Sequence, residues 1–482
     1  MRANPYLFLG ANGRKAILGI YIDRDSDLSI TSQLCRQLRD RIQTGLLAEG
    51  TRLPPTRKAA QEYGIARNIV IDVYEQLTAE GYLIGKRGSG TYVASGITAM
   101  SSGNFTWMES LHEHNSILSD DIIDFTTGTP ALEFFPSRIW GNYLKSAALN
   151  SPLSCLDYGD IQGHRELRLE ITSYLLRTRG MHCHPDQIMI VSGSSEGFTL
   201  IAKAMYPQYH GIYLEEPTIE ITQNIFKQMN YQITPIEVDH HGMKLHEMNH
   251  YKSHHLLLLT PAHQFPSGSI LSIQRRLLAL KLIEMNDTYL IEDDYDGDFR
   301  LKGVPIPPIH TLCPERVIYA GTFSKTLAPG LRIGFLVIPS ELISTFTDIK
   351  ESINIRTSAF QQIALAHFMR DGHMDRHIFK MKRLYKQRRV VLLDALIQYF
   401  GDEIKIHGDE AGMHLAVEFL DKSRTIDWEK SIEYGVKFGL VEEYSLEKQK
   451  HTHDIVLGYG NVREDHIKMG IERLHRFYED QS

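Results

Sequence analysis

The sequence predicts an α/β multidomain protein: a small helical head over residues 1–95, a polar bridge over 96–121 and a large body over 122–482. Two observations carry this. In the body, apolar strand-like runs (QIMIVSG, GIYLEE, HHLLLLTP, TYLIEDD, RVIYAGTFSK, FLVIP) alternate with helical stretches, the pattern of a mostly parallel sheet covered by helices. In the head, apolar residues recur instead at helical spacing, and the Ser- and Gly-rich bridge shows no sustained period. A chain of 482 residues also exceeds one ordinary core.

Hydrophobic residues at 42% and charged residues at 23% are ordinary globular values, a soluble protein is expected, and no stretch approaches a membrane span. The start, MRANPYLFLGANGRKAILGI, has charges inside its apolar run and no small-residue cleavage site, so it does not read as a signal peptide. Cys35, Cys155, Cys183 and Cys313 are widely spaced and never form a CxxC pair, so no zinc site or disulfide framework is expected and a reducing cytoplasm fits. Charge is uneven. Residues 1–95 hold thirteen Lys/Arg against nine Asp/Glu, leaving −11 of the overall −7 on the remainder; a basic head on an acidic body points to nucleic acid at one end.

In the head, ITSQLCRQLRDRIQTGLL places Ile30, Leu34, Leu38 and Ile42 on one helical face, with Gly50 as the expected stop. A short helix opened by Pro55-Thr56, a turn at Gly64 and a longer helix from about Ala66 to Glu80 follow, together a helix-turn-helix. Val70, Val73, Tyr74 and Leu77 supply its inward face, while Arg67 and Asn68 stand at the N-terminus that would meet base edges. YLIGKRGSGTYVA then reads as a hairpin wing around a basic glycine turn. The bridge reads as an interdomain linker in which Trp107 and Met108 could dock.

In the body, chemistry should collect at the carboxyl ends of the strands. Ser192-Gly193-Ser194-Ser195 precedes a helix whose free amides could hold a phosphate. Asp293, Asp294 and Tyr295 end a strand. A carboxylate there could keep a pyridine nitrogen protonated, or an acidic pair could bind a metal. The metal reading is set aside, and no metal is expected, because GTFSKTLAPGLRIG follows one strand later. It brings Lys325 among Thr322, Ser324 and Thr326, with Arg332 beyond. A lysine amine can form a Schiff base while hydroxyls and a guanidinium hold a phosphate.

The stretch LPPTRKAAQEYGIARNIVIDVYEQLTAEGYLIGKRGSGTYV resembles the winged helix of the GntR regulators, which implies DNA contacts from Arg57, Arg67, Asn68, Arg87 and Gly90. The SGS, DDY and SK…R pieces, with residues 158–180, 260–280 and 372–389, resemble the type I fold of pyridoxal-phosphate aminotransferases. Together they are similar to the MocR subfamily, a winged helix-turn-helix fused to an aminotransferase-like body. That likeness implies a large domain over about 150–335 with a mostly parallel sheet and a smaller C-terminal α+β domain mainly over 336–482. By motif, Lys325 resembles the Schiff-base lysine, Asp293 the partner of the pyridinium and Tyr295 the partner of the ring oxygen. Gly193, Ser194, Ser195, Thr322, Ser324 and Arg332 resemble the phosphate cup; Tyr158 resembles a tyrosine that reaches a phosphate across a dimer interface, and His263 and Gln264 lie near the ring.

Two departures stand out. Where the family shows PGY, this chain has Pro217-Thr218-Ile219, so the aromatic expected over the ring is Ile219; where an LRLGF-like strand carries a carboxylate-binding arginine, it has Val456. Arg356 is a candidate substitute. The resemblance therefore implies a cytoplasmic, homodimeric, pyridoxal-phosphate-dependent regulator that binds operator DNA and senses the cofactor, an amine or an amino acid. The alternative is a working aminotransferase with a DNA-binding head, and a body that serves only as a dimerisation scaffold conflicts with the retained site residues.

Overall fold

The computed structural model describes residues 7–9, 15–18, 20–24, 26, 28–86, 88–96, 121–248, 251–303, 305–353 and 357–481. Arg87, Arg356, Trp107 and Met108 lie outside the described residues. The chain forms two compact units, Met1–Ser116 and Ile117–Ser482.

The first unit contains helices Ile30–Gln43, Thr56–Tyr63 and Arg67–Ala79 and a hairpin of Leu83–Lys86 with Gly90–Val93. Leu34, Leu38 and Ile42 pack with Val70, Val73 and Leu77 in one core. The first helix ends at Gln43, seven residues before the expected Gly50 stop. Thr44 caps it, its Oγ1 donating to the Asp40 carbonyl at 2.8 Å, and Leu46 points outward while Leu47 turns back into the core. A hydroxyl cap thus overrode the apolar periodicity. Gly64 ends the second helix with φ +65°, a left-handed turn that glycine adopts without a Cβ penalty.

The second unit is built on an eight-stranded sheet. Its spatial order is Ile188–Val191, Gly334–Val337, Val317–Thr322, Leu290–Asp294, His255–Leu259, Gly211–Glu216, Gln232–Asp239 and Gly242–Met243. Five consecutive strands, from Val317–Thr322 to Gln232–Asp239, run parallel, whereas Gly334–Val337 is antiparallel to both neighbours. All six strand-like runs of the sequence are present. Gln232–Asp239 had no such signal because it lies near the sheet edge, is only partly buried and contains Pro235, which cannot donate to a ladder. A second, antiparallel sheet joins Ile404–His407, His414–Phe419, Asp454–Gly458 and Gly439–Leu440. Helix Glu464–Asp480 packs on it through Tyr478 against Phe419, ring centres 4.6 Å apart. The first described residues after the bridge join this region: Ile123–Asp124 pairs with Val436–Lys437, and Arg473 holds the Asp121 carboxylate at 2.8 Å.

Candidate cofactor site and DNA-binding head

Strand alternation separates the two acids that end Leu290–Asp294. Asp294 turns to Arg179, whose Nε donates at 2.7 Å, and also accepts from Tyr319. Burial raises its carboxyl, but the Arg179 charge and these hydrogen bonds prevail and hold it below the ordinary value. Asp293 is equally buried and accepts no hydrogen bond among the described residues. Burial, then the charges of Asp294, Asp296 and Glu215, push its carboxyl up to about 8. Asp294 therefore braces the fold, and Asp293 is a carboxyl without a partner.

Lys325 lies just past Val317–Thr322, and its Nζ donates to the Gly128 carbonyl at 2.6 Å. Burial lowers its amine, opposed by Asp296 and Asp293. Gly128 has φ +98°, and a Cβ there would stand 3.1 Å from Nζ, so glycine is what lets the backbone approach the amine. Before the lysine, Thr322 Oγ1 donates to Ser324 Oγ at 3.0 Å and accepts from the Ser324 amide at 3.1 Å.

Gly193, φ +105°, opens the helix Ser194–Met205, which has no side-chain cap. The Arg332 guanidinium lies against it, 3.2 Å from where a Cβ would be, and makes no ion pair among the described residues. A capless helix start beside an uncommitted guanidinium is a cradle for an oxyanion. Ser194 and Ser195 are half-buried at its edge. The Glu196 carboxylate accepts from the Ser192 amide at 2.5 Å.

A cavity of about 210 Å³ opens at Lys325, with Ile219, Phe265, Met413 and Tyr444 as apolar walls and Thr127, Tyr295, Asp296 and His414 as polar ones. Tyr295 shares a hydrogen bond with His263 Nδ1 at 3.2 Å, and the same nitrogen meets Asp296 Oδ2 at 2.9 Å. Burial, then Asp296 and Asp293, raise the Tyr295 phenol far above its usual value. Burial, then His263, press the His414 imidazole well below its ordinary range, so the ring is neutral. His263, Asp296 and His414 gather ligand-type atoms within 4.8 Å of one another. Asp296 Oδ2 is engaged by His263 Nδ1 and His414 Nε2 by the Pro266 carbonyl at 3.2 Å, while His263 Nε2 is buried with no hydrogen-bond partner among the described residues.

Among the sequence candidates, Lys325 and Tyr295 line the cavity, and Gly193 and Arg332 form the oxyanion cradle. Gln264 is spent on loops instead, donating to the Pro217 and Phe265 carbonyls at 2.7 and 2.6 Å. Tyr158 is 71% exposed and is not part of the cavity wall. Ile219 lines the cavity, whereas Val456 is fully buried, pairs with Ala416 and does not. Sequence reasoning missed Gly128, Phe265, Asp296, Met413, His414 and Tyr444. Asp296 and Phe265 sat inside motifs already singled out; His414 and Tyr444 come from the small sheet and its loop, where no local pattern marks them.

In the head, Arg57, Arg67 and Asn68 are exposed, and Arg67 Nε donates to Thr56 Oγ1 at 3.3 Å, tying the start of one helix to the start of the other. The wing pairs Lys86 with Gly90, and Arg52 packs over Gly90, its Nε 3.0 Å from where a Cβ would be.

Residues 120–444 match the aminotransferase class I and II family, and residues 30–93 match the bacterial regulatory proteins of the gntR family. The probable rhizopine catabolism regulatory protein MocR of Rhizobium meliloti is 32% identical over 94% of this chain and 95% of its own. The chain belongs to the MocR-type helix-turn-helix regulators. Its similarity extends to the pyridoxine biosynthesis transcriptional regulator PdxR of Corynebacterium glutamicum, 28% identical over 94% of this chain and 97% of that one. Among solved structures, Pyrococcus horikoshii kynurenine aminotransferase, described in complex with PMP, matches 75% of this chain and 92% of its own at TM-score 0.68 and 28% identity. Membership in a MocR-type family assigns the winged helix to DNA and the body to an aminotransferase-type site. No described helix is long and apolar enough to cross a membrane.

Proposed function

We propose that this chain is a homodimeric, pyridoxal-phosphate-dependent transcription regulator whose body senses the cofactor, or an amine that engages it, and whose head binds operator DNA in the cytoplasm. The observation that carries the cofactor reading is the juxtaposition of the desolvated amine of half-buried Lys325, the buried carboxyl of Asp293, which has no hydrogen-bond partner among the described residues, and the Gly193–Arg332 cradle. These residues fit the group. When bound, pyridoxal phosphate supplies an aldehyde that an amine can engage and a ring that draws electrons when its nitrogen is protonated.

In this reading Arg332 and the amides of Ser194 and Ser195 hold the phosphate, with Thr322 and Ser324 beside it. Asp293 would hold a proton at the ring nitrogen, and the protonated Tyr295 phenol would donate to the ring oxygen. Burial shifts the Lys325 amine towards its neutral form, the form that acts as a nucleophile. His263 and Asp296 orient Tyr295, and Gln264 fixes the loop that carries Phe265. Tyr158 would reach the partner subunit's phosphate, which its exposure permits.

The contact between Lys325 and the Gly128 carbonyl suggests how occupancy is felt. Gly128 belongs to the segment that enters the body from the bridge, and Phe125 in that segment accepts from the Gly458 amide at 2.7 Å. A ligand that engages the lysine changes the partner of Gly128, and through it the anchoring of the chain that leads to the head. Regulation follows if the two states of the dimer differ in DNA affinity.

DNA binding to the gene's own upstream region, measured with and without pyridoxal phosphate, tests the proposal. A cofactor-dependent change in affinity is expected. Turnover of an amino acid with a keto acid at ordinary enzymatic rates would favour the aminotransferase alternative instead.

A further inference from the structure

If the sensing site is as proposed, its walls decide which amine it admits. Lys325 is the only lysine or arginine among the described residues that line the cavity. His414 adds no positive charge, because burial, then His263, hold its imidazole neutral. Asp296 brings a carboxyl to the wall. Val456, on the strand Asp454–Gly458, is sealed against Ala416 and offers no donor. The buried guanidinium groups of the long helix His373–Phe400 are committed elsewhere, Arg388 to Glu133 and the Gly460 carbonyl and Arg389 to Asp409.

An α-carboxylate entering this cavity would leave water with no guanidinium among the described lining residues to receive it and would face Asp296. Burying an unpaired charge is strongly unfavourable. The remaining wall is suited to an apolar body: Phe265 and Tyr444 stand edge to face with ring centres 4.8 Å apart, beside Met413 and Ile219.

We infer that the site selects a carboxylate-free primary amine with an apolar or aromatic body over the corresponding α-amino acid. This rests on the sensing role proposed above.

The test uses the full-length protein saturated with pyridoxal phosphate and two matched pairs, 2-phenylethylamine against L-phenylalanine and isopentylamine against L-leucine. Calorimetric affinity and the shift in melting temperature are read for each. Each amine is expected to bind at least about tenfold more tightly than its amino acid. Ile219→Arg, which would place a guanidinium in the wall, is expected to narrow or invert that ratio, and Met413→Arg is a second variant should the first fail to fold. Equal or tighter binding of the amino acids, or no binding by any of the four, overturns the inference while leaving cofactor uptake intact. So do two folded arginine variants with the wild-type ratio. A protein that takes up no pyridoxal phosphate removes this inference together with the reading it rests on.

Discussion

The head and the body place their functional charges in opposite environments. In the head, Arg57 and Arg67 are exposed, and among the described residues Arg67 is tethered by one hydrogen bond to Thr56. In the body, Asp293 is buried and Lys325 half-buried, and desolvation is the largest influence on both. Exposed charges keep their ordinary chemistry and act through position and long-range attraction, so their work is weakened by salt. Buried charges have their chemistry altered by the fold and act at one place on one ligand.

That contrast is tested most severely at Lys325. Lys325→Ala should abolish the visible absorbance of the cofactor-loaded protein and its fixation by borohydride, while binding to DNA without cofactor persists. Asp293→Asn should follow, weakening cofactor binding by about 1.5–3 kcal/mol, the worth of a hydrogen bond to a charged group, as read by titration of the unloaded protein.

In the head, Arg67→Ala should weaken operator binding by about 1–3 kcal/mol without touching cofactor uptake. Unchanged binding would place Arg67 outside the groove.

The pH dependence sharpens the body side of the comparison. Asp293 is pushed up to about 8 from an ordinary 3.8, chiefly by burial. A carboxyl that holds its proton more tightly folded than unfolded stabilises the fold fully below about pH 4 and loses that contribution as pH rises towards 8. Without cofactor, stability should therefore fall between pH 6 and 7 by up to about 1.4 kcal/mol from this group. Asp293→Asn should flatten the fall in part, because Glu215 and Glu292, raised to about 7 by burial, behave alike. The smallest effect is expected at Thr56→Ala, which frees Arg67 and should cost about 0.5–1.5 kcal/mol in head stability by denaturant unfolding.

The same contrast explains what the sequence could disclose. The helix-turn-helix and the strands ending at Val191, Asp294 and Thr322 were legible because hydrophobic period and glycine turns are local. Lys325, Arg332 and Gly193 were legible because each sits in its own short motif at a strand end. The walls of the cavity were not: Gly128, Met413, His414 and Tyr444 arrive from segments that meet only through long-range packing of the small sheet and the entry strand. Telling Asp293 from Asp294 also needed the pleat, which turns Asp294 to Arg179 and leaves Asp293 with no hydrogen-bond partner among the described residues. Gln264 shows the reverse limit, since a residue in a suggestive loop proved to hold that loop together.

The central claim is that chemistry at Lys325 governs what the winged helix does. Affinity for the upstream DNA, compared between wild type and Lys325→Ala with and without pyridoxal phosphate, addresses it directly. The cofactor is expected to change wild-type affinity at least several-fold and to leave the variant unmoved. An equal response in both proteins, or none in either, would contradict it.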